Sequence, residues 1–333
     1  MQPRIKTTVV GSYPVPDWLA AYPTEQALID ATMVVFKIQE NAGIDLVADG
    51  ELYRFDINHP DTNGMIEYFV RPLENVRSSL SRSELLHFQE LEGMSFRSKP
   101  SALVEGEIGE GTLNLGADYR RARALTSRPM KFTVTGPHML CKTLLDLHYG
   151  SKRDLCMALA EVLADQAAEI DAEVVQIDEA NITGHPDEAE WALECINVVL
   201  DAVPTIPAVH LCFGNYGGQT IQKGGWDALI GFLSGLHADH VLLEVAHRGS
   251  WELEFLARIN PEVGIGLGVV DIKSNTVETP EEIARRIEEA ARVIGVDRIR
   301  CVNPDCGFWM LKRSVADRKI RALVNGRDLF EGR

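Results

Sequence analysis

The chain has 333 residues, 45% hydrophobic and 25% charged, a globular composition that excludes a disordered segment or a small disulfide-stapled scaffold. Lys and Arg total 33 against 49 Asp and Glu, a formal net charge of −16, which argues against a nucleic acid or an anionic membrane surface as the main partner. No apolar run approaches the ~20 residues that cross a bilayer.

In chain order, KTTVVGS (6–12) reads as a first strand and 24–43 as a helix, opened by Thr24 and closed near Gly43. IDLVADGE (44–51) reads as a second strand. Residues 52–130 break the pattern with aromatics, charge and a weak stretch, VEGEIGEGTLNLGADY, that suggests a β-hairpin. KFTVTGP (131–137), a helix over 151–172, VVQIDEA (174–180), PAVHLC (207–212), HVLLEV (240–245) and GIGLGVVD (264–271) follow. A helix over 279–295 starts with Thr279-Pro280-Glu281-Glu282, as cap, first-turn proline and acidic first turn. RIRCVNP (298–304) is the last strand. Eight strands alternating with helices predict an α/β fold, a single (β/α)8 TIM barrel over 1–333 with a long insertion at about 52–130. A doubly wound sheet is the rival, weakened because no G-x-G-x-x-G follows the first strand. There is no linker, internal repeat or signal-peptide core, so the expected location is the cytoplasm. In that reducing setting Cys141, Cys156, Cys195, Cys212, Cys301 and Cys306 read as core thiols or metal ligands.

A barrel of this kind reacts at the C-terminal ends of its strands, and polar residues gather there. His210 and Cys212, at i and i+2, point the same way. With Cys306 of the N-P-D-C-G turn and Glu244 at the end of the sixth strand they could make a nitrogen- and thiolate-rich set that suits Zn2+. The plainer alternative is a buried histidine and core thiols. Asp178 and Glu179 alternate, so one faces the barrel interior. An inward Asp178 is a base or an ammonium partner; otherwise it caps the next helix. Ser12, Glu51 and Asp178 together suit an amino-acid head group. Lys273 reads as an acid for a leaving group, an anchor for an anion, or a solvated side chain. The five tryptophans read as packing or rim residues. His237 and His240 are assigned to the opposite end of the barrel as solvated or capping groups, and His247 and Arg248 to a surface loop.

Across nearly the whole chain, VVGSYP (9–14), DLVADGE (45–51), TGP (135–137), VVQIDEA (174–180), VHLCFGNY (209–216) and VNPDCGFWMLKR (302–313) resemble the cobalamin-independent methionine synthases, specifically the catalytic barrel of short members. The resemblance implies zinc held by His210, Cys212, Glu244 and Cys306, and a thiol-bearing amino acid around Val10, Gly11, Ser12, Glu51 and Asp178. It implies methyl transfer to homocysteine from a methyltetrahydrofolate-type or other donor, with zinc keeping the acceptor sulfur ionised. Two departures stand out: Ala180 follows QIDE where that family has proline, and Lys273 replaces the histidine of D-I-H-S. Related barrels include the epoxyalkane:coenzyme M transferases, so another alkyl donor is the second reading, and a non-enzymatic zinc- or thiol-binding barrel the third. The expected partners are a small thiol and an alkyl donor; a homo-oligomer or a methyl-delivering protein stays open.

Overall fold

The computed structural model describes residues 5–54, 64–91, 98–215 and 220–333. Seven parallel strands form one curled sheet in the order β1-β7-β6-β5-β4-β3-β2. They are β1 (Lys6–Thr7), β2 (Lys131–Thr135), β3 (Val174–Glu179), β4 (Ile206–Leu211), β5 (His240–Leu243), β6 (Gly264–Val270) and β7 (Ile299–Pro304). The expected second strand is reduced to two parallel bridges, Thr8 with Leu46 and Val47 with Met130. Those bridges touch both edges of the sheet, so residues 46–47 close the curl into a TIM-barrel-like ring.

The strands read as apolar runs because helices cover their outer face. α1 (Glu25–Ala42) is capped by the Thr24 side chain, which accepts from Ala27 N, and ends at Gly43 with φ 87°. α2 (Lys152–Ala168) is capped by Ser151, and α3 (Ala189–Ala202) packs beside it. α4 (Pro280–Ala290) opens with a full capping box between Thr279 and Glu282. α5 (Arg313–Phe330) packs on α4 and α1. Between helices and sheet lies the main core; a smaller cluster of Leu46, Val174, Ala208, Leu242 and Cys301 fills the inside of the ring.

The anticipated hairpin at 104–119 is not present. Leu103–Val104 instead pairs antiparallel with Val76–Arg77 and parallel with Leu145–Asp146. Residues Leu115–Arg123 form a helix capped by Asn114, whose side chain accepts from Ala117 N. Leu115, Tyr119 and Ala122 then share one buried face, and that helical spacing outweighs the glycines before it. No helix among the described residues is long and apolar enough to cross a membrane.

Candidate functional site

Register brings the polar strand ends to one level. Thr135 lies opposite Asp178, and Asp178 opposite His210. Cys212, Glu244, Asp271 and Cys306 each follow the end of their strands, at the same end of the sheet.

His210, Cys212 and Cys306 converge: one donor atom from each lies within 4.8 Å of the others. The two sulfurs are 3.6 Å apart. His210 Nδ1 faces the Leu242 carbonyl at 3.1 Å. That contact makes Nδ1 the protonated nitrogen and leaves Nε2 with its lone pair free. Nε2 is buried and has no hydrogen-bond partner among the described residues. The Cys306 thiol donates to the Cys212 sulfur, which draws the Cys212 pKa far below the usual thiol range; the same bond and burial push Cys306 up. Burial opposes the His210 cation, yet the neighbouring Cys212 thiolate more than offsets it and raises the His210 pKa.

Glu244 lies at the edge of this set, and its donor oxygens are not in it. Oε1 meets Lys273 Nζ at 2.5 Å, and Oε2 accepts from Phe213 N at 3.1 Å. Its backbone is pinned as well. Trp226 Nε1 donates to the Glu244 carbonyl, and Asp305 accepts from the amides of Val245, Ala246 and His247. Burial and the Glu244 charge push the Asp305 pKa up to about 7, against the pull of those amides.

The second wall carries carboxylates. Asp178 is buried inside the ring and accepts from Gln176 Nε2 at 2.6 Å. Gln176 also donates to the Val10 carbonyl and accepts from Lys131 Nζ, which in turn donates to the Val9 carbonyl. Burial raises the Asp178 pKa to about 7, with His210 pulling it down and Glu51 pushing it up. Glu51 Oε1 accepts from Thr133 Oγ1 at 2.6 Å, and Oε2 lies 3.6 Å from Arg54. Gly11 faces this carboxylate: a Cβ there would lie 2.1 Å from Glu51 Oε1. Ser12 packs against Gly307, where a Cβ would meet its Oγ at 2.0 Å, and accepts from Phe308 N through its carbonyl. The loop after β1 is thereby tied to the Cys306 turn.

Glu179 points the other way and accepts from the amides of His138 and Met139, at the start of the helical turn Pro137–Cys141. Helix capping thus falls to Glu179, not to Asp178. His237 is exposed and pairs with Asp201. His240, expected to be solvated or capping, is instead buried and bonded to Asp239. Arg248 is mostly covered and lies over the Phe213 ring, not in a solvated loop. Sequence reasoning missed Arg54, Lys131 and Gln176, and gave Asp305 no role beyond its place at a strand end. Lys131 and Gln176 carried a signal, as polar residues at inward positions of apolar strands; Arg54 carried none.

Polar atoms without partners among the described residues gather at this rim: Thr135 Oγ1, Asn181 Nδ2, His210 Nε2 and Asn215 Oδ1.

Similar proteins are known across nearly the whole chain. A methionine synthase of Thermococcus kodakarensis is 28% identical, with 97% of this chain and 93% of that one aligned. One of Sulfurisphaera tokodaii is 27% identical over 97% and 92%. The solved structure of a B12-independent methionine synthase from Shewanella sp. W3-18-1, in complex with selenomethionine, superimposes with a TM-score of 0.81 at 23% identity, covering 98% of both chains. Residues 5–328 match the family described as cobalamin-independent synthase, catalytic domain. The chain belongs to that family of enzymes.

Proposed function

We propose that this chain is a zinc-dependent thiol alkyltransferase whose reaction is methyl transfer to homocysteine, yielding methionine. The observation that carries the reading is the convergence of one imidazole and two thiols at the strand ends, with a buried, unpartnered His210 Nε2 among them. These residues fit a soft divalent ion: the donors are nitrogen and sulfur, and the proton between the two thiols is one that an ion replaces. His210, Cys212 and Cys306 would hold it. When bound, the ion supplies the acidity that keeps a substrate sulfhydryl ionised at neutral pH. The names of the similar methionine synthases support homocysteine as the acceptor.

The remaining residues bind and orient. Asp178 and Glu51 offer carboxylates to an ammonium group, and each is fixed from behind, Asp178 by Gln176 and Glu51 by Thr133 and Arg54. A cation arriving between them relieves the repulsion that helps hold Asp178 near neutral pH. The Val10–Ser12 backbone, held by Gln176 and by Phe308 N, lies beside these carboxylates. We read 1–333 as one barrel unit, 52–130 as its insertion, and its setting as the cytoplasm.

Lys273 favours a second reading, because the resembled family has histidine there. In that reading the bound thiol opens an epoxide, as in the coenzyme M transferases.

Two variants and a thiol panel test this. Cys306→Ala should lose most bound zinc, measured by elemental analysis, and with it thiol alkylation, while circular dichroism stays native. Asp178→Asn should weaken homocysteine binding by about tenfold or more and leave zinc content unchanged. Full zinc content in Cys306→Ala overturns the ligand set. Binding of coenzyme M in place of homocysteine moves the assignment to the second reading.

A further inference from the structure

We infer that Cys301, His240 and Asp239 form a thiol–imidazole–carboxylate relay at the base of the ring, and that Cys301 is a site of covalent modification by small soft electrophiles. The relay lies apart from the imidazole and thiols of the rim and does not depend on them.

Strand register assembles it. β5 begins at His240, opposite Gly264, and Cys301 of β7 lies opposite Gly266 on one side and Lys6 on the other. These positions lie toward the N-terminal ends of the strands, whereas His210, Cys212 and Cys306 lie at or beyond the other end. β6 separates β5 from β7, and Gly264 and Gly266 put no side chain between them. A Cβ on Gly266 would lie 2.7 Å from Leu242 of β5 and 3.0 Å from Cys301 Sγ of β7, so side chains of the two flanking strands lean over a bare middle one. Across that gap the His240 ring is hydrogen-bonded to the Cys301 thiol. Its Nδ1 meets Asp239 Oδ2 at 2.9 Å, and Arg300 flanks the same oxygen at 3.7 Å.

The order is that of an activated nucleophile: a thiol, a ring beside it and an acid that fixes the ring. Burial works against the His240 cation, yet Asp239 and Cys301 overcome it and push the pKa up to about 9. A charged imidazole stabilises the negative charge that a neighbouring sulfur bears in attack. Among the described residues, the three mutually close donors that suit an ion are those of the rim; the trio at the base is a chain, not a ligand cage. Its cover is thin. Cys301 keeps 4% of its surface and His240 6%, whereas Cys156 and Cys195 keep none. Leu46, which packs with Cys301, belongs to a segment held by two isolated bridges, and a small reagent reaches the sulfur past it.

Iodoacetamide is the probe. The sulfur bonds to the methylene carbon, the carbon–iodine bond breaks, iodide leaves with the bonding pair, and the thiol proton passes to water. Limited alkylation of the intact chain at pH 7, read cysteine by cysteine by peptide mass spectrometry, gives the rates. Cys195 is fully covered, so it labels only as the fold opens and sets the background. Cys301 should label about tenfold faster than Cys195 or more. Asp239→Asn and His240→Gln should each slow Cys301 about fivefold or more and leave the Cys195 rate unchanged, which reports an intact fold. Should His240→Gln not fold, Asp239→Asn, at a half-exposed carboxylate, carries the test. A Cys301 rate equal to that of Cys195 overturns the inference. So does a fast Cys301 rate that the folded variants leave unchanged, since the thiol would then be reachable but not activated.

Discussion

The Gly11 Cα faces the Glu51 carboxylate so closely that a methyl group there would lie 2.1 Å from Oε1. No side chain fits without moving the acid or the loop. Gly11→Ala should therefore weaken homocysteine binding by about tenfold or more, since misplacing a binding group by an ångström costs that much. Zinc content should not change, because His210, Cys212 and Cys306 lie on other strands. Calorimetry with the thiol, beside elemental analysis, separates the two effects. At this scale the sequence was most informative where chemistry repeats in a pattern. His210 and Cys212 were legible because alternation puts i and i+2 on one face, and Cys306 because a tight turn follows an apolar strand. What held them was not legible. The Leu242 carbonyl that fixes the His210 tautomer and the Asp305 carboxylate that takes three amides are long-range partners, and no local pattern marks them.

Short elements at the rim depend on side chains from neighbouring strands. The turn Pro137–Cys141 begins on the Glu179 carboxylate, and its His138 also meets Glu188, which holds Lys142 in turn. Burial works against the His138 cation, but Glu179 and Glu188 overcome it and push the pKa up to about 10. A raised pKa gives stability that is complete below the ordinary value of 6.5 and is lost as pH rises through about 10. Wild type should therefore lose melting temperature across that window. His138→Gln, which keeps a donor and cannot titrate, should be less stable at the acid end and show a flatter profile. Parallel slopes for the two proteins would remove His138 from the pH dependence. Helices α1 and α4 were legible from their Thr24 and Thr279 starts, and α2 from its helical spacing alone, its Ser151 cap unremarked. The helix Leu115–Arg123 was not, because the glycines before it look like turn signals while its own Asn114 cap and apolar face sit inside the same stretch.

At the scale of the whole molecule, alternation of strands and helices was enough to foresee a ring of parallel strands, and seven of the eight runs contain one, though the first shrinks from 6–12 to Lys6–Thr7. Residues 44–51 resembled the others in composition yet contribute only two bridges, because the segment turns at Gly50, with φ 81°, and at Glu51, with φ 59°. That backbone turns the Glu51 carboxylate toward Thr133 and Gly11 and ends regular pairing.

The thin stave at 46–47 is the least laced seam of the ring. Its amides are held by two isolated bridges, whereas β3 and β4 are laced together over six residue pairs. Deuterium should enter at Leu46 and Val47 well before it reaches Ile177 and Val209, and mass spectrometry of the exchanging protein would show it. Simultaneous exchange at both places would mean the ring opens only by global unfolding. If the seam loosens first, it frees the segment that carries Glu51 while the imidazole and the two thiols stay in place.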